Sequence, residues 1–89
     1  MLKWFKPWLY VPAKDVQTEG CLSEGTSAFL RRWNALVGPS HQVDPTKGYT
    51  ALVRRSVAKW QEATLGVLNA DGFVGPETAR RMRVRLTGD

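Results

Sequence analysis

Few side chains in this chain could do chemistry. There is one histidine, one cysteine and eight acids, against thirteen Lys and Arg. His41 sits in Pro39-Ser40-His41-Gln42 with no Cys or second His at ligand spacing, so the pattern offers no metal site. Cys21 is alone, which excludes an intrachain disulfide. No nucleophile stands in a hydrolase-type motif beside a base. Lys47-Gly48 reverses the order a phosphate-binding loop needs and lacks its upstream glycine. Asp44 and Asp71 could be imagined as an acid–base pair, yet each lies where a turn would use its carboxylate. The residues argue for a non-enzyme that needs neither cofactor nor metal. The chemistry left is charge. A net +5 is concentrated in Arg54, Arg55, Lys59, Arg80, Arg81, Arg83 and Arg85. A basic face of this kind suits wall polymers, nucleic acid, an acidic lipid surface or an acidic protein, and it also simply keeps a small domain soluble.

The most informative stretch is Ala70-Asp71-Gly72-Phe73-Val74-Gly75-Pro76-Glu77-Thr78. Asp71 can accept from its own downstream backbone, and Gly72 accepts the positive φ such a turn often needs. Phe73 and Val74 are apolar inside a polar loop, which predicts that the loop is pinned to a core. Pro76 and Glu77 suit the first turn of a helix. A weaker echo runs from Val43 to Thr50, with an apolar residue before Asp44 and Gly48 four positions after it. The Gly-to-Thr spacing is two there and three in the later copy, so the repeat is degenerate.

Three helices must position these loops. The first is expected to start near Thr26 or Ser27 and to bury Phe29, Trp33, Leu36 and Val37, with Arg31 and Arg32 facing out, before Gly38-Pro39 stops it. The second is expected from about Tyr49 to Leu65, with Val53, Val57, Trp60 and Thr64 on one face, Leu52 and Leu65 flanking, and Gly66 as its end. The third is expected from Pro76 to about Arg85, burying Ala79, Met82 and Leu86. The fold class expected is all-α: a small three-helix bundle with two similar inter-helix loops, preceded by an extended aromatic N-terminal arm. In this division residues 1–20 are arm and linker, with Lys14 to Gly20 as the polar link, and residues 21–89 are the domain. An apolar content of 43% over 89 residues supports one ordered core and argues against disorder. No apolar run approaches the ~20 residues of a spanning helix. Pro7 interrupts the N-terminal apolar run and no small-x-small site follows, which argues against a signal peptide. The arm, through Trp4, Phe5, Trp8 and Tyr10, could pack on its own domain, dock into a partner or lie at a membrane surface.

Trp60-Gln61, Leu65-Gly66 and Asp71-Gly72-Phe73-Val74-Gly75-Pro76-Glu77-Thr78 together resemble the bacterial and phage peptidoglycan-binding domain family. That family is a three-helix module with an aromatic-Gln pair, a glycine and a D-G-x-x-G-P-x-T loop. Leu30 to Asp44 is similar to a diverged first repeat, with Pro45 where the second copy has Gly72. The resemblance covers roughly residues 22–86 and implies non-catalytic binding of peptidoglycan. It implies a groove beside the second loop, where Gln61, Asp71, Gly72, Phe73, Trp60 and Arg80 are the candidate ligand-binding residues. With no signal peptide expected, it also implies a phage or prophage protein made in the host cytoplasm and acting at the cell wall or in the virion, beside a catalytic lysis partner or phage structural proteins. A virion or assembly component that reuses the fold and docks through its arm is the alternative. Nucleic-acid binding is third, because the Gly66 to Gly75 loop is long for the turn of a helix-turn-helix.

Overall fold

The computed structural model describes residues 7–88. Trp4 and Phe5 of the expected arm lie outside the described residues. In chain order the elements are strand β1 (Leu9–Pro12), a 3-10 turn (Ala13–Val16), helix α1 (Glu24–Leu36), a 3-10 turn (Pro39–His41), helix α2 (Ala51–Leu65), a 3-10 turn (Val67–Asn69), helix α3 (Pro76–Arg81) and strand β2 (Val84–Thr87).

The all-α expectation is therefore corrected. Among the described residues, 54% are helical, with three α-helices and the 3-10 turns, and a two-stranded parallel sheet is added. Strand β1 pairs with β2 in the register Leu9 to Val84 and Val11 to Leu86, while Tyr10 faces Arg85. The apolar members of both strands turn toward the core and the polar members outward, the alternation a half-buried strand requires. Helix α3 ends at Arg81 because the Met82 N–H bonds back to the Thr78 and Ala79 carbonyls and Arg83 takes φ 57. A residue in the left-handed region stops the helix as a glycine would. The expected helical run to Arg85 thus becomes a six-residue helix and a strand.

Arg32, expected to face solvent, holds this junction. From α1 its Nη1 donates to the Met82 and Arg83 carbonyls and its Nη2 to the Pro7 carbonyl, each at 3.0 Å. Burial, and then the Arg83 charge, lower its pKa from the ordinary arginine value.

Helix α1 begins two to three residues earlier than expected because Ser23 is its cap and accepts from the Thr26 N–H at 3.1 Å. Thr26 turns inward instead and donates to the Asp15 carbonyl at 2.6 Å. Helix α2 begins at Ala51, capped by Thr50, and Tyr49 lies before the cap in the interior. The core gathers Phe29, Leu30 and Trp33 from α1, Val53 and Val57 from α2, Met82 after α3, and Val11 and Val84 from the sheet. A fully buried side chain of this size contributes about 1.5–3 kcal/mol. Val16 joins the same core, so Lys14 to Gly20, expected as a polar link, supplies a packed residue. Leu36 and Leu52, expected in or beside the buried stripes, are exposed, and so is Thr64. On α2 the inward stripe is Val53, Val57 and Gln61.

Candidate functional site

Two amide side chains organise the loops, and they stand 27 residues apart, each directly after a tryptophan: Trp33-Asn34 and Trp60-Gln61. Gln61 is 2% exposed. Its Nε2 donates to the Phe73 carbonyl at 2.7 Å and to the Thr78 hydroxyl at 3.0 Å, and its Oε1 accepts the Gly72 N–H at 2.8 Å. One side chain thereby fixes the second loop and ties it to the start of α3. Asn34 does the same for the first loop on a smaller scale. Its Nδ2 donates to the Val43 carbonyl at 2.7 Å and its Oδ1 accepts the Val43 N–H at 2.8 Å. Edge-to-face packing of Trp33 on Trp60, with centroids 5.4 Å apart, joins the two sites.

The period extends to the loops themselves. Asp44 and Asp71, again 27 apart, each close the Asx turn expected of them. The Asp44 Oδ1 accepts from the Thr46 N–H and the Asp71 Oδ1 from the Phe73 N–H, both at 2.9 Å. Ser27 and Arg54, at equivalent helix positions, grip the following loop: Ser27 donates to the Pro45 carbonyl at 2.9 Å and Arg54 Nε to the Asp71 carbonyl at 3.1 Å. The helix caps Ser23 and Thr50 keep the same spacing. A clamp, a turn and a grip repeated together form two copies of one supersecondary unit.

The second copy is more heavily built. The Tyr49 hydroxyl donates to the Gly72 carbonyl at 2.7 Å, and the Tyr49 and Phe73 rings stack 5.8 Å apart. The Arg54 guanidinium lies 4.2 Å over the Phe73 ring and pairs with Glu19 at 3.3 Å. Gly72 has φ +83, and a Cβ there would lie 2.5 Å from Arg54 Cγ and 2.7 Å from the Arg54 carbonyl, so this position admits only glycine without rearrangement. Burial, and then the Asp71 charge, raise the Tyr49 pKa above the ordinary tyrosine value.

A groove of about 240 Å³ opens beside this loop. Of the candidate ligand-binding residues, Gln61, Asp71 and Phe73 line it. Gly72 is buried beneath the loop and Trp60 is half-buried against Trp33. Arg80 is outside the groove and pairs with Glu77, which Arg81 also reaches at 3.5 Å. These two arginines hold the Glu77 carboxyl below its ordinary pKa. Leu65 and Leu68 add an apolar wall, and Leu68 is 96% exposed. The groove carries two carboxylates, Asp71 and Glu77, and no Lys or Arg among its described lining residues.

A second groove, of about 530 Å³, lies between the first loop and α2. Among its described lining residues are Lys47, Arg55 and Lys59 and a single carboxylate, Asp44. The Thr46 hydroxyl and N–H, and more weakly Lys47, hold the Asp44 carboxyl below its ordinary pKa. Sequence reasoning noted the cations of α2 but not the groove they line. The equal spacing of Trp33-Asn34-Asp44 and Trp60-Gln61-Asp71 is the signal that could have found it.

Of the arm's described anchors, the Trp8 ring takes the Arg83 and Arg85 guanidinium groups at 4.8 and 4.5 Å, and Tyr10 sits exposed on β1. Among the described residues no group of three His, Cys, Asp or Glu is arranged to hold a metal ion. No helix among them is long and apolar enough to cross a membrane. No family model, curated protein or solved structure matches the chain.

Proposed function

We propose that this chain is a non-catalytic module that binds bacterial cell-wall peptidoglycan in the groove beside residues 70–78, as a phage-related protein acting at the wall. The observation that carries the reading is the loop itself. Gly72, Phe73 and Thr78, among the residues on which the family resemblance rests, are bonded to the buried Gln61 amide, and Asp71 closes the turn beside them through the Phe73 N–H. A ligand meeting this loop finds its backbone already ordered, which lowers the entropic cost of binding. The Asp71 carboxylate can accept from the amide N–H or ammonium groups of a stem peptide, and Leu65 and Leu68 can cover the apolar face of a sugar or a small side chain. Arginines play little part in this groove, because Arg80 and Arg81 are committed to Glu77.

Co-sedimentation of the full chain with purified, protein-free sacculi tests the proposal, with Leu68→Asp as the control because that side chain is exposed and its loss leaves the core intact. Saturable binding at physiological salt is expected, weakened about tenfold or more by the substitution. Absence of binding by the intact chain, or equal binding by both, overturns it. Deleting residues 1–20 is a poor control, since it removes β1 together with core residues Val11 and Val16.

A further inference from the structure

The groove between the first loop and α2 has a charge pattern that folding alone does not explain. Leu52, Arg55, Ser56 and Lys59 form one stripe of α2 at spacings of three and four residues, and all four line the groove. Arg55 and Lys59 stand one turn apart, and Lys47 faces them from the loop. Like charges at this spacing repel. None of the three makes an ion pair with a described residue. Their one acidic neighbour among the described lining residues, Asp44, already accepts two hydrogen bonds from Thr46. The apolar part of the lining is Val43, Leu52 and Val53, of which Leu52 is 67% exposed, beside the neutral polar side chains of Gln42, Thr50 and Ser56.

We propose that this groove binds the carboxylate end of a short peptide whose adjoining side chains are small and apolar. The carboxylate meets Arg55 and Lys59, where charge-assisted hydrogen bonds relieve their mutual repulsion, and Lys47 closes over it. The apolar residues next to the carboxylate lie on Leu52 and Val43. The groove's volume falls within the usual range for small ligands, about 300–1,000 Å³. A nucleic-acid strand is the poorer occupant, because the groove's described lining residues include no aromatic side chain for a base to stack on. This site is separate from the groove beside residues 70–78, and its probe requires no sacculus.

The test is an amide NMR titration of the full chain with N-acetyl-Ala-Ala bearing a free carboxylate, with the same peptide as its C-terminal amide, and with a short single-stranded oligonucleotide. The expected result is saturable shifts of the amides of Asp44, Lys47 and residues 52–59 with the free acid. Binding should be weaker by about tenfold for the amide peptide, and by a similar factor for the exposed Lys59→Glu variant. Equal responses to acid and amide, shifts confined to residues 70–78, no shifts, or a stronger response to the oligonucleotide would each overturn the proposal.

Discussion

The two loops of this molecule are one design executed at two strengths. Each follows a tryptophan–amide pair, each closes an Asx turn, and each is gripped by the helix before it. They differ in depth. Gln61 is one methylene longer than Asn34 and reaches past the aspartate to Gly72, Phe73 and Thr78, whereas Asn34 stops at Val43. The longer reach draws the second loop into the interior and requires glycine where the first loop carries Pro45. The first loop stays shallow, and between it and α2 lies the larger, cationic groove. The length of the clamping side chain decides how far its loop is buried.

The comparison breaks most visibly at the clamps. Gln61→Leu strands a buried N–H, a carbonyl and a hydroxyl, and should lower unfolding stability by about 3 kcal/mol. Asn34→Leu, at a half-buried site that water can reach, should cost about 1 kcal/mol. Urea denaturation measures both, and equal losses would refute the unequal depths. Next come the glycines that end or turn the second unit. Gly72→Ala should cost about 2–3 kcal/mol, combining a strained φ with the contact against Arg54. Gly66→Ala, with φ +102 but open space around it, meets the backbone strain without the clash and should cost less, about 1–2 kcal/mol.

Two pH limbs sharpen the contrast with smaller effects. Tyr49 has a folded pKa raised above its unfolded value near 10, so its contribution is complete below that value and is lost as pH rises toward the folded one. Tyr49→Phe should flatten the alkaline limb of stability. Asp44 has a folded pKa depressed below its unfolded value, so its contribution is present above roughly pH 4 and is lost as pH falls through the lowered one. Because Asp44 is exposed, Thr46→Val should flatten the acid limb only slightly. Denaturation midpoints across pH separate the two limbs, and an alkaline limb unmoved by Tyr49→Phe would contradict the buried hydroxyl's role.

Much of this architecture was legible because it is local. Pro76 opening a helix, Gly66 closing one and the two Asx turns all follow from what single residues do to their own backbone. Gln61 entered as a candidate ligand-binding residue, and the structure shows both ends of its amide bonded to the loop and to Thr78. The sheet was not legible. Val84 to Thr87 alternates apolar and polar over only four residues, a run too short to tell strand from helix, and its partner β1 lies at the other end of the chain. The break before it falls at Arg83, where no glycine or proline announces a left-handed residue. Arg32 was misplaced for a related reason, since its three carbonyl partners belong to segments that meet only in the folded state. The cationic groove escaped because charge patterning shows which residues are basic but not that a loop faces them.

The most direct measurement is an amide NMR titration with soluble disaccharide-peptide fragments released from peptidoglycan. Saturable shifts centred on Leu65, Leu68 and residues 71–75 are expected if this loop binds the wall, with the Gly72 amide staying hydrogen-bonded to Gln61 throughout. Shifts that avoid this loop, or no response at concentrations where sacculi retain the protein, would contradict that binding.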